Sequence, residues 1–259
     1  MKIDKIKKVS GNQYKIQLSN KETLSTYDEV ILKNNLLFHN EIDSSLLNKI
    51  ELDTKYYGVY NKVIKFITTR LRSKKEILVF LDKNNVTDED RDKIISELER
   101  VGLINERNFA KAYISDKLYL SNYGPDKIKN DLYDYGIDTN IVEDEVAKID
   151  NTVVKEKLNK LVLKKIKANR KYSNYQLKQK IIFELGNIGY NSDMIIEIFD
   201  SLNMNSDSIL KKQFEKVYTK LSKKYVGKEL YYKVKQSLYQ KGFDTSEIDE
   251  LLNKKVETY

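Results

Sequence analysis

Two patterns of apolar and polar residues divide the chain. Near the start the two kinds alternate in Tyr14-Lys15-Ile16-Gln17-Leu18, and a polar turn at Ser19-Asn20-Lys21-Glu22 leads into Thr23-Leu24-Ser25-Thr26-Tyr27. A period of two over short runs split by a turn predicts a small β-hairpin. From about Glu41 onward the apolar positions recur at helical spacing, with one proline, Pro125, to interrupt them. That stretch is expected to be helical throughout.

The helical stretch repeats itself. Asn85, Gly136, Gly189 and Gly242 stand 51, 53 and 53 residues apart, each just past an amphipathic run. Four residues before each lies Leu81, Leu132, Leu185 or Leu238, and eight before lies Ile77, Ile128, Ile181 or Val234. Positions i and i+4 form one apolar stripe on a helix. An apolar residue follows each turn (Val86, Ile137, Tyr190, Phe243), and then a helix N-cap former (Thr87, Asp138, Asn191, Asp244). The cycle reads as a helix, a left-handed turn and a new cap. The helices that follow carry stripes of their own in Ile94 and Leu98, Val142 and Val146, Ile195 and Phe199, and Ile248 and Leu252.

With longer helices filling the gaps, this predicts a mainly α fold, an elongated, curved array of tandem three-helix repeats with a small N-terminal β-hairpin-containing extension. The expected boundaries are 1–54 for the strand-rich extension and linker helix, then repeats at 55–104, 105–150, 151–204 and 205–259.

Charge changes the picture more than composition does. The chain has 259 residues, 47 Lys and Arg against 39 Asp and Glu, a formal net charge of +8 and 40% hydrophobic residues, which is globular rather than disordered. Residues 151–259 hold 22 basic and 13 acidic residues, so the whole excess is C-terminal. Val153 to Lys180 carries ten basic residues against Glu156, and Ile209 to Lys241 carries ten against Glu215 and Glu229. Stacked repeats would align these blocks into a basic stripe for a polyanion or an acidic protein surface. Tyr172, Tyr175, Tyr218, Tyr225, Tyr231 and Tyr232 lie among them as candidate stacking rings, although helical spacing also suits a half-buried role.

Reagents for catalysis are scarce. There are no cysteines, one histidine (His39, expected at the surface) and nine glycines, which removes thiol chemistry, multi-His metal sites and most nucleotide cradles. Asp88, Asp90, Asp92 and Glu99 match EF-hand ligand positions, but Lys93 stands where that loop needs glycine. Acids in a first helical turn explain them better. Gly227-Lys228 lacks the rest of a P-loop, and Asp144 with Glu145 reads as helix surface. No cofactor and no metal are expected. With no apolar run near the ~20 residues of a span and no apolar segment behind the basic N-terminus, a soluble cytoplasmic protein is expected, acting as a monomer away from membranes.

Leu103-Ile104-Asn105-Glu106-Arg107, Phe109-Ala110, Tyr113, and then Gly124-Pro125, Ile128, Leu132 and Gly136-Ile137 resemble the signature of the RecX family, regulators of the recombinase RecA. Phe66 and Arg70-Leu71-Arg72-Ser73-Lys74-Lys75-Glu76-Ile77 resemble that family's helix start of a basic residue, Ser and a later Glu. Asn85 departs from it, standing where the family more often has glycine. Phe109, Tyr113, Ile128 and Leu132 fall at helical spacing and are expected in the core. The resemblance implies a non-enzymatic protein that lodges in the helical groove of the RecA–DNA filament and inhibits its ATPase and strand exchange. Single- or double-stranded DNA is implied as a further contact, and binding that competes directly for DNA is the alternative. By charge density, the contact residues are expected to be Arg70, Arg72, Lys74, Lys75, Arg107, Lys111, Lys164, Lys165, Lys167, Arg170, Lys171, Lys223, Lys224 and Lys228.

Overall fold

The structure is a computed structural model that describes residues 1–202 and 207–256. Strands β1 (Ile3–Ser10), β2 (Gln13–Leu18) and β3 (Thr23–Tyr27) form an antiparallel sheet in chain order. The expected hairpin is β2–β3, with Ile16 opposite Leu24. Strand β1 was not expected. Its apolar Ile3, Ile6 and Val9 fall every third residue, and its pairing with β2 shifts register between Ile3 and Lys5 and again between Lys8 and Ser10. Such irregularities erase the period of two by which a strand is recognised.

The short α1 (Asp28–Lys33) and the long α2 (Ser44–Thr68) close over this sheet around Ile16, Leu18, Val30, Ile31, Leu36, Ile42 and Ile50. Buried Asp53 of α2 accepts hydrogen bonds from Lys33 Nζ and Asn34 Nδ2, both at 2.8 Å. Burial pushes its carboxyl up, but these partners outweigh that and hold its pKa below the ordinary aspartate range.

Helices α3 (Lys74–Lys83), α4 (Asp88–Arg100), α5 (Glu106–Leu120), α6 (Pro125–Asp134) and α7 (Thr139–Val146) come next. After them run α8 (Asn151–Ala168), α9 (Asn174–Gly186), α10 (Ser192–Asp200), α11 (Asp207–Leu221), α12 (Gly227–Tyr239) and α13 (Thr245–Val256). From α2 on they form tandem sets of three. The expected boundary at 204 and 205 lies outside the described residues. Each middle helix, α3, α6, α9 or α12, buries its predicted pair completely: Ile77 and Leu81, Ile128 and Leu132, Ile181 and Leu185, Val234 and Leu238. Burial of one such side chain stabilises by about 1.5–3 kcal/mol. The turns behind them are left-handed, with φ of 54° at Asn85, 75° at Gly136, 87° at Gly189 and 74° at Gly242.

Two compact units divide the chain: Met1–Phe109 with Tyr135–Asp138, and Ala110–Asp134 with everything from Thr139 on. Inside each unit the turns recur in one setting, seated on the N-terminus of the middle helix one repeat earlier. In the first unit a Cβ on Gly136 would lie 3.4 Å from Cβ of Lys75, at the start of α3. In the second, Gly124 N–H donates to Ile188 O (2.7 Å) and Asp126 N–H to Gly189 O (3.1 Å), so the turn after α9 sits on the start of α6. The turn after α12 sits on the start of α9, where Ser173 Oγ donates to Lys241 O at 2.6 Å. Asn85 closes the first such turn with an exposed side chain, which removes the need for glycine there.

Candidate polyanion-binding surface

The basic residues expected near the start of α3 are largely spoken for. Ser73 Oγ accepts Glu76 N–H (3.2 Å) while Ser73 N–H donates to Glu76 Oε2 (3.0 Å), a capping box. Arg70 and Arg72 both pair with that same Glu76, and the Arg72 guanidinium lies 3.9 Å from the centre of the Phe66 ring. Lys74 pairs with Glu99 at 2.7 Å. Lys75, against Gly136, and half-buried Arg107 are engaged as well. Lys111, exposed on α5, is the one residue of this group with no partner among the described residues.

Helix α8 sorts its cations by face. Lys160, Lys164 and Lys167 follow helical spacing, are exposed and have no carboxylate partner among the described residues. Lys155 and Lys165 pair instead with Glu197 and Glu184. Lys157 turns inward and donates to Leu118 O (2.7 Å), Tyr123 O (3.3 Å) and Lys117 O (3.4 Å), and burial pushes its pKa down. Arg170 donates to Lys167 O (2.6 Å) and Asn169 O (2.9 Å), closing the end of the helix. Beside it a depression of about 390 Å³ is lined by Arg170, Lys171, Tyr172 and Lys180 over Leu177 and Ile181. The Lys171 and Lys180 ammoniums lie 5.5 and 4.8 Å from the centre of the Tyr172 ring.

In the last repeat Lys223, Lys224 and Lys228 are exposed, without partners among the described residues. Reading by charge density passed over Lys216, Lys220 and Lys241. The first two lie on α11, and with Glu215, Thr219 and Lys223, just past the end of that helix, they line an open depression of about 500 Å³. Lys241 donates to buried Gln213 Oε1 at 3.0 Å. Burial first, and then repulsion from Lys216, Lys171 and Lys220, holds its pKa below the ordinary lysine range. The spacing of 216, 220 and 223 was a usable signal, but the approach of Lys171 and Lys241 was not.

Of the six named tyrosines, Tyr175 and Tyr232 are exposed, at 63% and 68%. Tyr218, Tyr225 and Tyr231 pack half-buried against the core of the last repeat, and the Tyr231 hydroxyl donates to Asp249. Phe109, Ile128 and Leu132 are buried, and half-buried Tyr113 donates its hydroxyl to Asp131 at 2.7 Å. Glu145 is a correction: it is 4% exposed and paired with Lys148 at 2.7 Å, because α7 turns this position toward the core beside Val142. Asp88 pairs with Arg91 in the first turn of α4, Glu99 pairs with Lys74, and His39 is exposed. Among the described residues no cluster of acidic or histidine side chains could hold a metal, and no helix is long and apolar enough to cross a membrane.

Comparison with known proteins agrees with this architecture. A family model described as RecX, third three-helix domain, matches residues 206–252. Regulatory protein RecX of Enterococcus faecalis is 28% identical over 98% of this chain and 97% of its own. The Streptococcus gordonii protein of the same name is 27% identical over 97% and 98%. The crystal structure of RecX from Lactobacillus salivarius has a TM-score of 0.53 at 28% identity, covering 57% of this chain and 96% of its own. Another crystal structure, of a regulatory protein RecX, shares the fold at a TM-score of 0.64 over 77% of this chain and 98% of that one, at 22% identity. Over nearly its whole length the chain is similar to proteins named regulatory protein RecX, and its last repeat matches the model of a RecX three-helix domain.

Proposed function

We propose that the protein is a non-enzymatic regulator of homologous recombination that binds the RecA–DNA filament in its helical groove and inhibits the filament's ATPase and strand exchange. It would act as a monomer in the cytoplasm, without a cofactor. Relatives aligned over nearly the full chain are named regulatory proteins, which supports the regulatory part of this reading. The observation that carries the contact is the set of exposed lysines left without carboxylate partners among the described residues: Lys164, Lys167 and Lys171 in the third repeat, and Lys223, Lys224 and Lys228 in the fourth. Uncompensated charge of one sign raises the local concentration of an anionic partner and speeds encounter. Arg70, Arg72, Lys74 and Lys165 are already paired within the chain and would contribute less.

The same lysines support a second reading, a helical module that binds DNA directly and competes for it. One assay separates the two: RecA's DNA-dependent ATPase measured with this protein far below the amount that coats the DNA. Inhibition there is expected for filament binding. Inhibition that sets in only when the DNA is saturated would leave competition as the mechanism.

A further inference from the structure

Where the turn after α12 seats on the start of α9, two kinds of group meet. One is charge. Lys171 lies two residues before Ser173, whose hydroxyl donates to Lys241 O in the turn after α12, and Lys241 reaches Gln213 on α11, the helix that carries Lys216 and Lys220. None of the four has a carboxylate partner among the described residues. Glu215, the nearest acid on that helix, is paired with Lys255 at 3.3 Å. Four like charges gathered without a counterion oppose folding, and Lys241 is held there all the same by Gln213 and by the Ser173 bond to its carbonyl.

The other group is an aromatic ring. Tyr175 packs so closely on the same turn that a Cβ on Gly242 would lie 3.0 Å from its Cδ1, yet the residue is 63% exposed. A ring backed by a turn and open to solvent beside lysines is a platform for a flat apolar partner carrying negative charge.

We propose that this joint between the third and fourth repeats binds single-stranded nucleic acid, with Lys171, Lys216, Lys220 and Lys241 holding phosphates and Tyr175 stacking on a base. A basic groove combined with exposed rings suits a strand whose bases are free, whereas a duplex keeps its bases stacked away from such a ring. Lys223, just past the end of α11, extends the groove. This deepens the second reading above, direct contact with DNA, by naming the form of the strand and the residues that hold it.

The test is anisotropy of labelled oligo-dT, and of a duplex of equal length, titrated with the full chain alone across a salt series. Lys216→Gln with Lys220→Gln is expected to lower the slope of log K against log salt by about 1.4 on the single strand, two contacts at about 0.7 each. Lys55→Gln with Lys83→Gln, an equal loss of charge on exposed lysines of the first unit, is expected to leave the slope within about half a contact of the parent. Tyr175→Leu is expected to weaken the single strand about tenfold and leave the duplex unchanged. All three variants alter exposed side chains, and their melting curves are checked against the parent. Equal slopes for the two lysine pairs, or a silent Tyr175→Leu, would overturn the proposal. Tight binding of the duplex in that case would leave direct DNA contact standing while removing this site.

Discussion

Gly124 and Gly189 meet backbone to backbone: a Cβ on Gly124 would lie 2.3 Å from Gly189 O, and one on Gly189 would lie 2.1 Å from Lys127 N. No rotamer change relieves contacts of that kind, because the obstructing atoms are main chain. Gly189 also has φ of 87°, which L side chains rarely adopt. Gly189→Ala is therefore expected to cost about 3 kcal/mol or more, and Gly124→Ala nearly as much. Gly102→Ala has the same kind of φ, 75°, but open space around it, and is expected to cost about 1 kcal/mol. Gly186→Ala, helical and unobstructed, is expected to stabilise by about 0.5–1 kcal/mol. Thermal melting of the four variants by circular dichroism checks the ranking.

Lys157 closes the end of α5 from a distance of some forty residues, its ammonium donating to three carbonyls. Lys157→Met keeps the stem but orphans Leu118 O and Tyr123 O, and is expected to destabilise by about 1–2 kcal/mol at neutral pH. Burial lowers the folded pKa, so between that value and the ordinary lysine pKa the unfolded chain binds more protons, and stability rises with pH. The variant lacks this rise. The gap between the two melting temperatures should widen as the pH becomes alkaline, and a constant gap would refute the assignment.

Glu76 behaves in the opposite sense. Burial pushes its carboxyl up, but the Ser73 N–H and then the Arg70 and Arg72 guanidiniums outweigh burial and hold its pKa below the ordinary glutamate range. The stability this contributes is complete above the unfolded pKa and is lost as the pH falls through the folded one. Glu76→Gln is expected to cost about 1 kcal/mol at neutral pH, with parent and variant converging in acid. Melting temperatures measured from neutral pH downward give the comparison directly.

Lysines one residue apart on α8 should differ in function. Lys164 and Lys167 are unpaired and exposed, and Lys165 is held by Glu184. If the α8 face contacts duplex phosphates, Lys164→Ala with Lys167→Ala lowers the salt slope by about 1.8, two contacts at about 0.9 each, with sequence preference unchanged. Lys165→Ala is expected to change the slope by less than about half a contact. A slope unaltered by the double variant on both free DNA and the RecA filament would make this face merely solvated.

What the sequence determined by itself is whatever repeats locally. The stripes Ile77/Leu81 through Val234/Leu238, the left-handed turns from Asn85 to Gly242 and the caps behind them depend on neighbours within a turn or two of helix, so spacing alone reveals them. The unequal charge of the two halves was equally open to reading, being composition. Tertiary structure decided which charges remain available. Lys74 meets Glu99 and Lys165 meets Glu184 across helices, Lys157 and Glu145 turn inward, and Ser173, two residues after Lys171, meets Lys241 of the next repeat. Side-chain direction on one helix follows from its period, but the partner a side chain finds depends on how separate helices pack, and residues as far apart as Ser173 and Lys241 carry no sign of each other in the sequence.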